Sequence, residues 1–334
     1  MIYCIVQKPY IDRYTASWYT ELERHQDIVK ILGPPQSSVC NRTGLDWFGN
    51  VGECIGYESE QIQRLLECDL HSGDIILTMD LDFPGVFGAM IPILRSRFKN
   101  IPIVGVLHAG PWILGDLFSA SASKIIIDQA VIGSVDAVIV ATEYHKQRLV
   151  DVMRICPDKI LTTGGFYIDF LKFPLLRNVN RNGRAMLIGR WEQSDFKYVS
   201  ELVDVVGWNS RLNYLCSMAN YSAVVSMKKD ETFGISVIEA MALGVVPFVP
   251  DRFGYVETVP VECRYADVDD LRFRLNRYFT DPEYAEMLQR IISGVDYAQY
   301  ESKMVDLINL VSGDGFRVEG LLNAYPYVGV IADE

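Results

Sequence analysis

Residues 226–244 read Ser226-Met-Lys-Lys-Asp-Glu231-Thr-Phe-Gly234-Ile-Ser-Val-Ile-Glu239-Ala-Met-Ala-Leu-Gly244. The stretch leaves an apolar β-branched run, Ala223–Ser226, crosses a short polar loop and enters a helical pattern at Ile235–Leu243. A second apolar run, Val245–Val249, follows directly. Strand, loop, helix and strand in that order make a unit whose two strands pair in parallel, with the helix covering one face.

The same alternation extends outward in both directions. Strands are expected at Ile2–Val6, Asp74–Met79, Ile103–Leu107, Ala137–Ala141, Lys159–Thr162 and Ala185–Ile188. Helical patterns lie at Ser59–Glu67, Lys124–Gly133, Glu143–Arg154, Tyr198–Val206, Ser210–Ala219, Val268–Tyr278 and Pro282–Ile292. Continuous apolar strands alternating with helices imply parallel sheets covered on both faces. The pattern pauses at Phe173-Pro-Leu-Leu-Arg-Asn-Val-Asn-Arg-Asn-Gly183, which has a Pro, a Gly and three Asn and no period. It reads as a linker, 173–183, between an α/β domain at 1–172 and a second at 184–312. The tail, 313–334, has no strong period and is expected to pack back on the first domain or to be loosely ordered. Two doubly wound domains enclose a cleft, and ligands bind beyond the carboxyl ends of their strands.

The chain has 334 residues, 49% of them hydrophobic, which suits two cores better than one and excludes wholesale disorder. Its net charge is −12. Up to residue 180 there are 16 Lys+Arg against 20 Asp+Glu, and beyond it 15 against 23, so neither part is a basic nucleic-acid domain in bulk. Seven scattered cysteines with no CxxC pair argue against a disulfide framework or a zinc ribbon, and for reduced thiols in the cytoplasm. The start, MIYCIVQKPYIDR, is too short an apolar run for a signal peptide. No membrane span is expected, since even ISVIEAMALGVVPFVP carries Glu239.

The chemistry concentrates at the opening stretch. Gly234 lets backbone approach a ligand, and the unpaired amides of the helix that follows suit a phosphate or sugar hydroxyls. Glu231 precedes that turn and Glu239 lies about a turn inside the helix. Two carboxylates flanking free amides suit a polyhydroxylated ligand, because carboxylates accept and hydroxyls donate.

The string ETFGISVIEAMALGVVPFV resembles the donor-binding motif of retaining GT-B glycosyltransferases, E-x-F-G-x-x-x-x-E-A-M-A-x-G-x-P-V, which it matches almost throughout. The resemblance implies a GT-B fold: two Rossmann-like domains facing a cleft, the second abbreviated, because only about 40 residues separate Arg190 from Glu231. Met186-Leu-Ile-Gly189-Arg190 is similar to the strand and Gly-Arg that open the donor domain, where the Arg, with a following Lys, holds the leaving diphosphate. Glu192-Gln-Ser-Asp stands where Glu-Gln-Lys-Gly is usual, which leaves Lys197 as the candidate lysine. By resemblance Glu231 accepts donor-sugar hydroxyls, Thr232, Phe233, Gly234 and Ile235 form the donor turn, and Glu239 holds the ribose. Ile101-Pro-Ile-Val-Gly-Val-Leu-His108 resembles the strand whose His reaches the sugar from the other domain. His108, Arg190 and Glu231 are thus the candidate catalytic residues. His145 and His25 read as surface residues without a role.

The resemblance implies a nucleotide-sugar co-substrate, UDP-glucose or a similar UDP- or GDP-hexose, no tightly bound cofactor, no metal requirement, and transfer with retention. A rival pattern, Asp80-Leu-Asp82 at a strand end, is the kind of carboxylate pair that binds a divalent metal in GT-A enzymes. Either Asp is also a candidate acceptor contact. Pro250-Asp-Arg252-Phe-Gly-Tyr255-Val-Glu257-Thr-Val-Pro260 is similar to a segment of the tRNA-queuosine mannosyltransferases, with Val256 in place of a Pro. With Tyr14 and Trp18 as stacking candidates and the cations Arg95/Arg97/Lys99 and Arg177/Arg181/Arg184, it suggests an acceptor hydroxyl on a modified base of DNA or tRNA. The alternatives are a glycan, lipid or small-molecule acceptor, or a sugar-nucleotide-binding protein whose catalysis has lapsed.

Overall fold

The computed structural model describes residues 1–8, 14–34, 51–81, 86–115, 119, 121–170, 173–177, 181–189, 196–207 and 210–313, without the side chain of Val51. Its first sheet has six parallel strands, β1 (Ile2–Ile5), β2 (Ile28–Ile31), β3 (Ile75–Thr78), β4 (Ile103–Val106), β5 (Ala137–Val140) and β6 (Ile160–Thr162), in the order β2-β1-β3-β4-β5-β6. The second has five, β7 (Ala185–Ile188), β8 (Val203–Val205), β9 (Ala223–Ser226), β10 (Val246–Pro250) and β11 (Arg264–Tyr265), in the order β11-β10-β9-β7-β8. Strands β4, β5, β7, β9 and β10 are buried at every position. This is the signature of sheets covered on both faces. Strand order reverses between β1 and β3 in one sheet and between β7 and β9 in the other. Each reversal opens a crevice at the carboxyl ends of the strands.

Helices cover both sheets: α1 (Thr15–Leu22), α2 (Val51–Glu67), α3 (Phe87–Arg97), α4 (Ala122–Ser134) and α5 (Glu143–Met153) on the first, and α6 (Arg211–Ala219), α7 (Ile235–Ala242), α8 (Tyr255–Thr258), α9 (Val268–Thr280) and α10 (Pro282–Ser293) on the second. The caps are local. Ser121, Thr142, Ser210, Asp267 and Asp281 each accept a hydrogen bond from a first-turn amide of the helix they open. After α11 (Ala298–Glu301), α12 (Lys303–Ser312) returns to pack on α1. One buried apolar cluster therefore runs from Ile2 and Trp18 through Phe166 and Phe233 to Tyr300 and Val311, across both sheets. The tail expected to pack back, 313–334, lies outside the described residues from 314 onward.

The expected helix at Tyr198–Val206 is corrected. Residues 197–202 are turns, and Val203–Val205 is the edge strand β8, paired with Ala185–Leu187. Val199, Leu202, Val203 and Val206 are spaced like one helical face, which produced the misreading. Pairing with β7 and the two-pronged ion pair of Arg184 on Asp204 decide it instead. The linker cations are also spent on structure. Arg177 and Arg181 donate to the carbonyls of Ala242 and Leu243, at the carboxyl end of α7, where the helix dipole favours positive charge.

Helix α3 contains Pro92 and begins without a side chain of its own as cap. Glu58 on α2 supplies the acceptor, taking the amides of Val86 and Phe87. Burial pushes the Glu58 carboxyl up from 4.5 to about 7, against the two amides and with help from Asp80. The folded chain thus holds this proton more tightly than the unfolded chain. The associated stability is complete below pH 4.5 and is lost as pH rises through about 7. At about 1.4 kcal/mol per unit, roughly 3 kcal/mol is at stake. Urea unfolding at pH 5 and pH 8 should show the wild type losing about that much relative to Glu58→Gln. An unchanged difference between the two proteins would mean the carboxyl titrates normally.

Candidate active site

The turn 231–234 sits at the carboxyl end of β9. Strand β9 ends at Ser226, the loop runs to Gly234, and α7 starts at Ile235. Gly234 has φ 82°, a left-handed conformation, and a Cβ there would lie 2.7 Å from the Tyr255 ring. Tyr255 is buried and shares a hydrogen bond of 2.8 Å with the Ser226 hydroxyl. Gly254 presses on the same turn from below: its amide donates to Glu231 O at 2.9 Å, and a Cβ on it would meet Thr232 O at 2.3 Å. The segment 250–258 thus shapes the turn. Tyr255 is part of that support, and Arg252 lies at the surface with its guanidinium 4.9 Å from the Phe253 ring.

The Glu231 carboxylate pairs with Lys228 and accepts the amides of Thr232 at 3.0 Å and Phe233 at 3.4 Å. Thr232 crosses the cleft: its hydroxyl donates to His108 O at 2.7 Å, while its carbonyl accepts from the Thr142 hydroxyl at 2.7 Å. Phe233 meets Phe166 edge-on at 5.5 Å and Tyr300 at 5.8 Å. Ile235 opens α7 and is partly buried against the core.

Glu239, one turn into α7, is 1% exposed and ion-paired with Arg211 at the start of α6. Burial raises its carboxyl, and the Arg211 charge opposes the rise. Its carboxylate is therefore held by a guanidinium inside the domain, and a ribose would have to share it.

His108 follows β4. Its Nε2 lies 2.9 Å from Met79 O, which can only accept, so Nε2 carries a proton; Tyr14 OH lies 3.3 Å from Nδ1. The ring packs between Trp18, at 4.8 Å, and Phe166, at 4.7 Å. Trp18 is 3% exposed and donates to Tyr167 O at 2.9 Å, so it and Tyr14 frame His108. Asp80 takes a 2.7 Å hydrogen bond from Gln7 and stands with Lys8, Glu58, Gln61 and Thr78 around a cavity of about 10 Å³ at the β1/β3 crevice. Arg190 and Asp82 lie outside the described residues. Lys197 is exposed, its ammonium 4.8 Å from the Tyr198 ring. Among the described residues, no group of three or more His, Cys, Asp and Glu is disposed to hold a metal.

No family model matches the chain, and no curated protein matches it. Solved structures do. Sucrose-phosphate synthase (tll1590) from Thermosynechococcus elongatus superposes with a TM-score of 0.62 at 15% identity, over 97% of this chain and 99% of that one. Anabaena Alr3699/HepE, in complex with UDP and glucose, gives 0.54 at 14%, over 92% and 99%. The catalytic domain of Starch Synthase IV from Arabidopsis thaliana, bound to ADP and acarbose, gives 0.51 at 12%, over 78% of each chain. The fold is GT-B. In this GT-B chain, as the resemblance led one to expect, two parallel sheets carry helices on both faces, and the loops at 108 and 231–234 face each other at their junction.

Three residues around the turn, Asp230, Lys228 and Arg211, carry no role in the sequence reading, and Glu257 enters it only within the segment 250–260. Asp230, buried, accepts from Tyr144 OH at 2.5 Å and Leu114 N at 3.2 Å and lies 3.6 Å from Arg148. Glu257 accepts the first amides of α5, Glu143 N at 2.9 Å and Tyr144 N at 2.7 Å, across the two domains. Lys228 pairs with Glu231 and Arg211 with Glu239. Only the proximity of Lys228 to Glu231 was visible in the chain. The surface reading of His145 is corrected: it is fully buried, on the α5 face shared with Leu149 and Met153, and accepts from Trp112 Nε1 at 3.2 Å. Burial, with smaller contributions from His108 and Arg148, pushes it down to about 3, so it stays neutral. His25 is partly buried beside Glu21.

The turn makes a checkable demand. Gly234→Ala should cost about 2 kcal/mol of stability from the left-handed backbone, before the Tyr255 clash is added. Gly56→Ala, on an open face of α2 where a Cβ meets nothing within 4 Å, should be neutral or stabilising by up to about 1 kcal/mol. Urea midpoints of the two variants test the contrast; equal values would deny the turn its constraint.

Proposed function

We propose that this chain is a glycosyltransferase that moves a sugar from a nucleoside-diphosphate donor to an acceptor hydroxyl. The observation that carries the reading is the junction itself. An acidic turn at the head of α7 is bonded directly to the His108 segment of the opposing domain, through the 2.7 Å contact from Thr232 to His108 O. Of the three similar structures reported above, one is described in complex with UDP and glucose and another bound to ADP and acarbose. Glu231 is the acceptor for sugar hydroxyls, and Arg190 with the α7 amides balances charge on the departing phosphate. His108, fixed by Met79 O and its aromatic neighbours, closes the site from the first domain.

Retention is the stereochemistry this reading favours. The acceptor oxygen attacks the anomeric carbon on the face that the phosphate leaves. The carbon–phosphate-oxygen bond breaks, the new glycosidic bond forms, and the acceptor proton passes to the departing phosphate. On this reading the acceptor approaches from the β1/β3 crevice, whose lining includes the hydrogen-bonded pair Gln7 and Asp80. Four of the six cations that pointed to a nucleic acid are engaged elsewhere, Arg95 with Asp136, Arg184 with Asp204, and Arg177 and Arg181 on carbonyls, while Arg97 and Lys99 are exposed. A small-molecule, glycan or lipid hydroxyl is therefore favoured over a base of DNA or tRNA. The charge balance rests on cations and amides, so transfer should persist in EDTA.

Nucleotide release from UDP-glucose, GDP-mannose and ADP-glucose, with and without candidate acceptors, tests the proposal. Glu231→Gln and Arg190→Ala should each lower release by about 10²–10³-fold. Undiminished activity in both would overturn the assignment, and no release from any donor would favour a lapsed, binding-only protein.

A further inference from the structure

We infer that Lys228, not Lys197, is the lysine that binds the donor diphosphate; the inference rests on the donor class proposed above and specifies the residue that meets it. Lys228 lies two residues past the end of β9, and Gly189 one residue past the end of β7. These strands are paired in register, Ile188 opposite Ser226. They also flank the point where strand order reverses in the second sheet, so both residues rise into the crevice where such sheets bind phosphates.

The lysine stem lies across the Gly189 backbone: a Cβ on Gly189 would come within 3.0 Å of Lys228 Cε. Gly189 has φ 75° and is followed at once by Arg190 in the chain. The Lys228 side chain is 27% exposed, and its ammonium is paired with Glu231, the carboxylate at the sugar end of the turn. Lys197, by contrast, lies at the surface with its ammonium over its own neighbour, Tyr198.

The Lys228–Glu231 pair explains how one event prepares both halves of the site. An incoming diphosphate carries more charge than a carboxylate and draws the ammonium toward itself. That move frees a Glu231 oxygen to accept sugar hydroxyls, while the Thr232 and Phe233 amides keep the carboxylate in place. Lys228 then contacts the leaving group and Glu231 the sugar.

Binding measured by calorimetry for UDP, GDP and ADP, each beside its nucleoside, tests this on the full chain. For the diphosphate that the wild type prefers, Lys228→Gln should weaken binding about ten- to hundredfold. Its nucleoside should bind unchanged, which also shows that the variant is folded. Lys228→Arg should restore most of the affinity, and Lys197→Gln should change it by less than about twofold. Unchanged diphosphate binding in Lys228→Gln would overturn the inference. So would equal losses for diphosphate and nucleoside, or a loss that falls on Lys197→Gln. If Lys228 served only to position Glu231, the sugar nucleotide would weaken while the diphosphate did not, which also overturns it. A wild type that binds none of the three diphosphates would instead remove the donor class itself.

Discussion

Four residues of backbone, Glu231 to Gly234, are held from every side. Gly254 touches them where no side chain would fit, and its amide donates to the Glu231 carbonyl. Thr142 and His108 of the first domain grip Thr232 at its carbonyl and its hydroxyl. Gly234 itself sits where an L-residue would be strained. Such over-determination fixes where the α7 amides point, and with them the place at which negative charge is best tolerated. Every other candidate group is positioned relative to this turn.

The charges around it obey the same economy. Glu239 and Asp230 are buried, and each has a cation and hydrogen-bond donors within reach: Arg211 for the first, Arg148, Tyr144 and the Leu114 amide for the second. A buried carboxylate without such partners would cost several kcal/mol, so these pairs are conditions of folding as much as of chemistry. Lys228 and Glu231 are paired as well, but at a partly open crevice, where a ligand of greater charge can displace one partner. The difference between sealed and accessible pairs separates groups that hold the site from groups that can work in it.

Much of this was legible in the chain because it is local. Apolar runs bounded by loops marked the central strands, and Glu231, Gly234 and Glu239 announced a turn and helix that the structure places where expected. What was not legible depends on contacts between distant residues. The edge strand Val203–Val205 has helical spacing and becomes a strand only because β7 is beside it. Helix α3 hides behind Pro92 and is begun by Glu58, nearly thirty positions earlier. His145 read as a surface residue because its helix carries charges, yet its own face is turned into the core. The roles of Asp230 and Glu257 come from elements more than eighty residues away and have no sequence signature.

The buried cluster that passes from Trp18 and Phe166 to Phe233 and Tyr300 gives the two halves a common seam. Parting those rings would expose apolar surface to water, so the seam resists separation of the two halves directly beside the junction. The Glu257 clasp on the first amides of α5 is a separate contact at the exposed rim, where water can take its place without wetting the core.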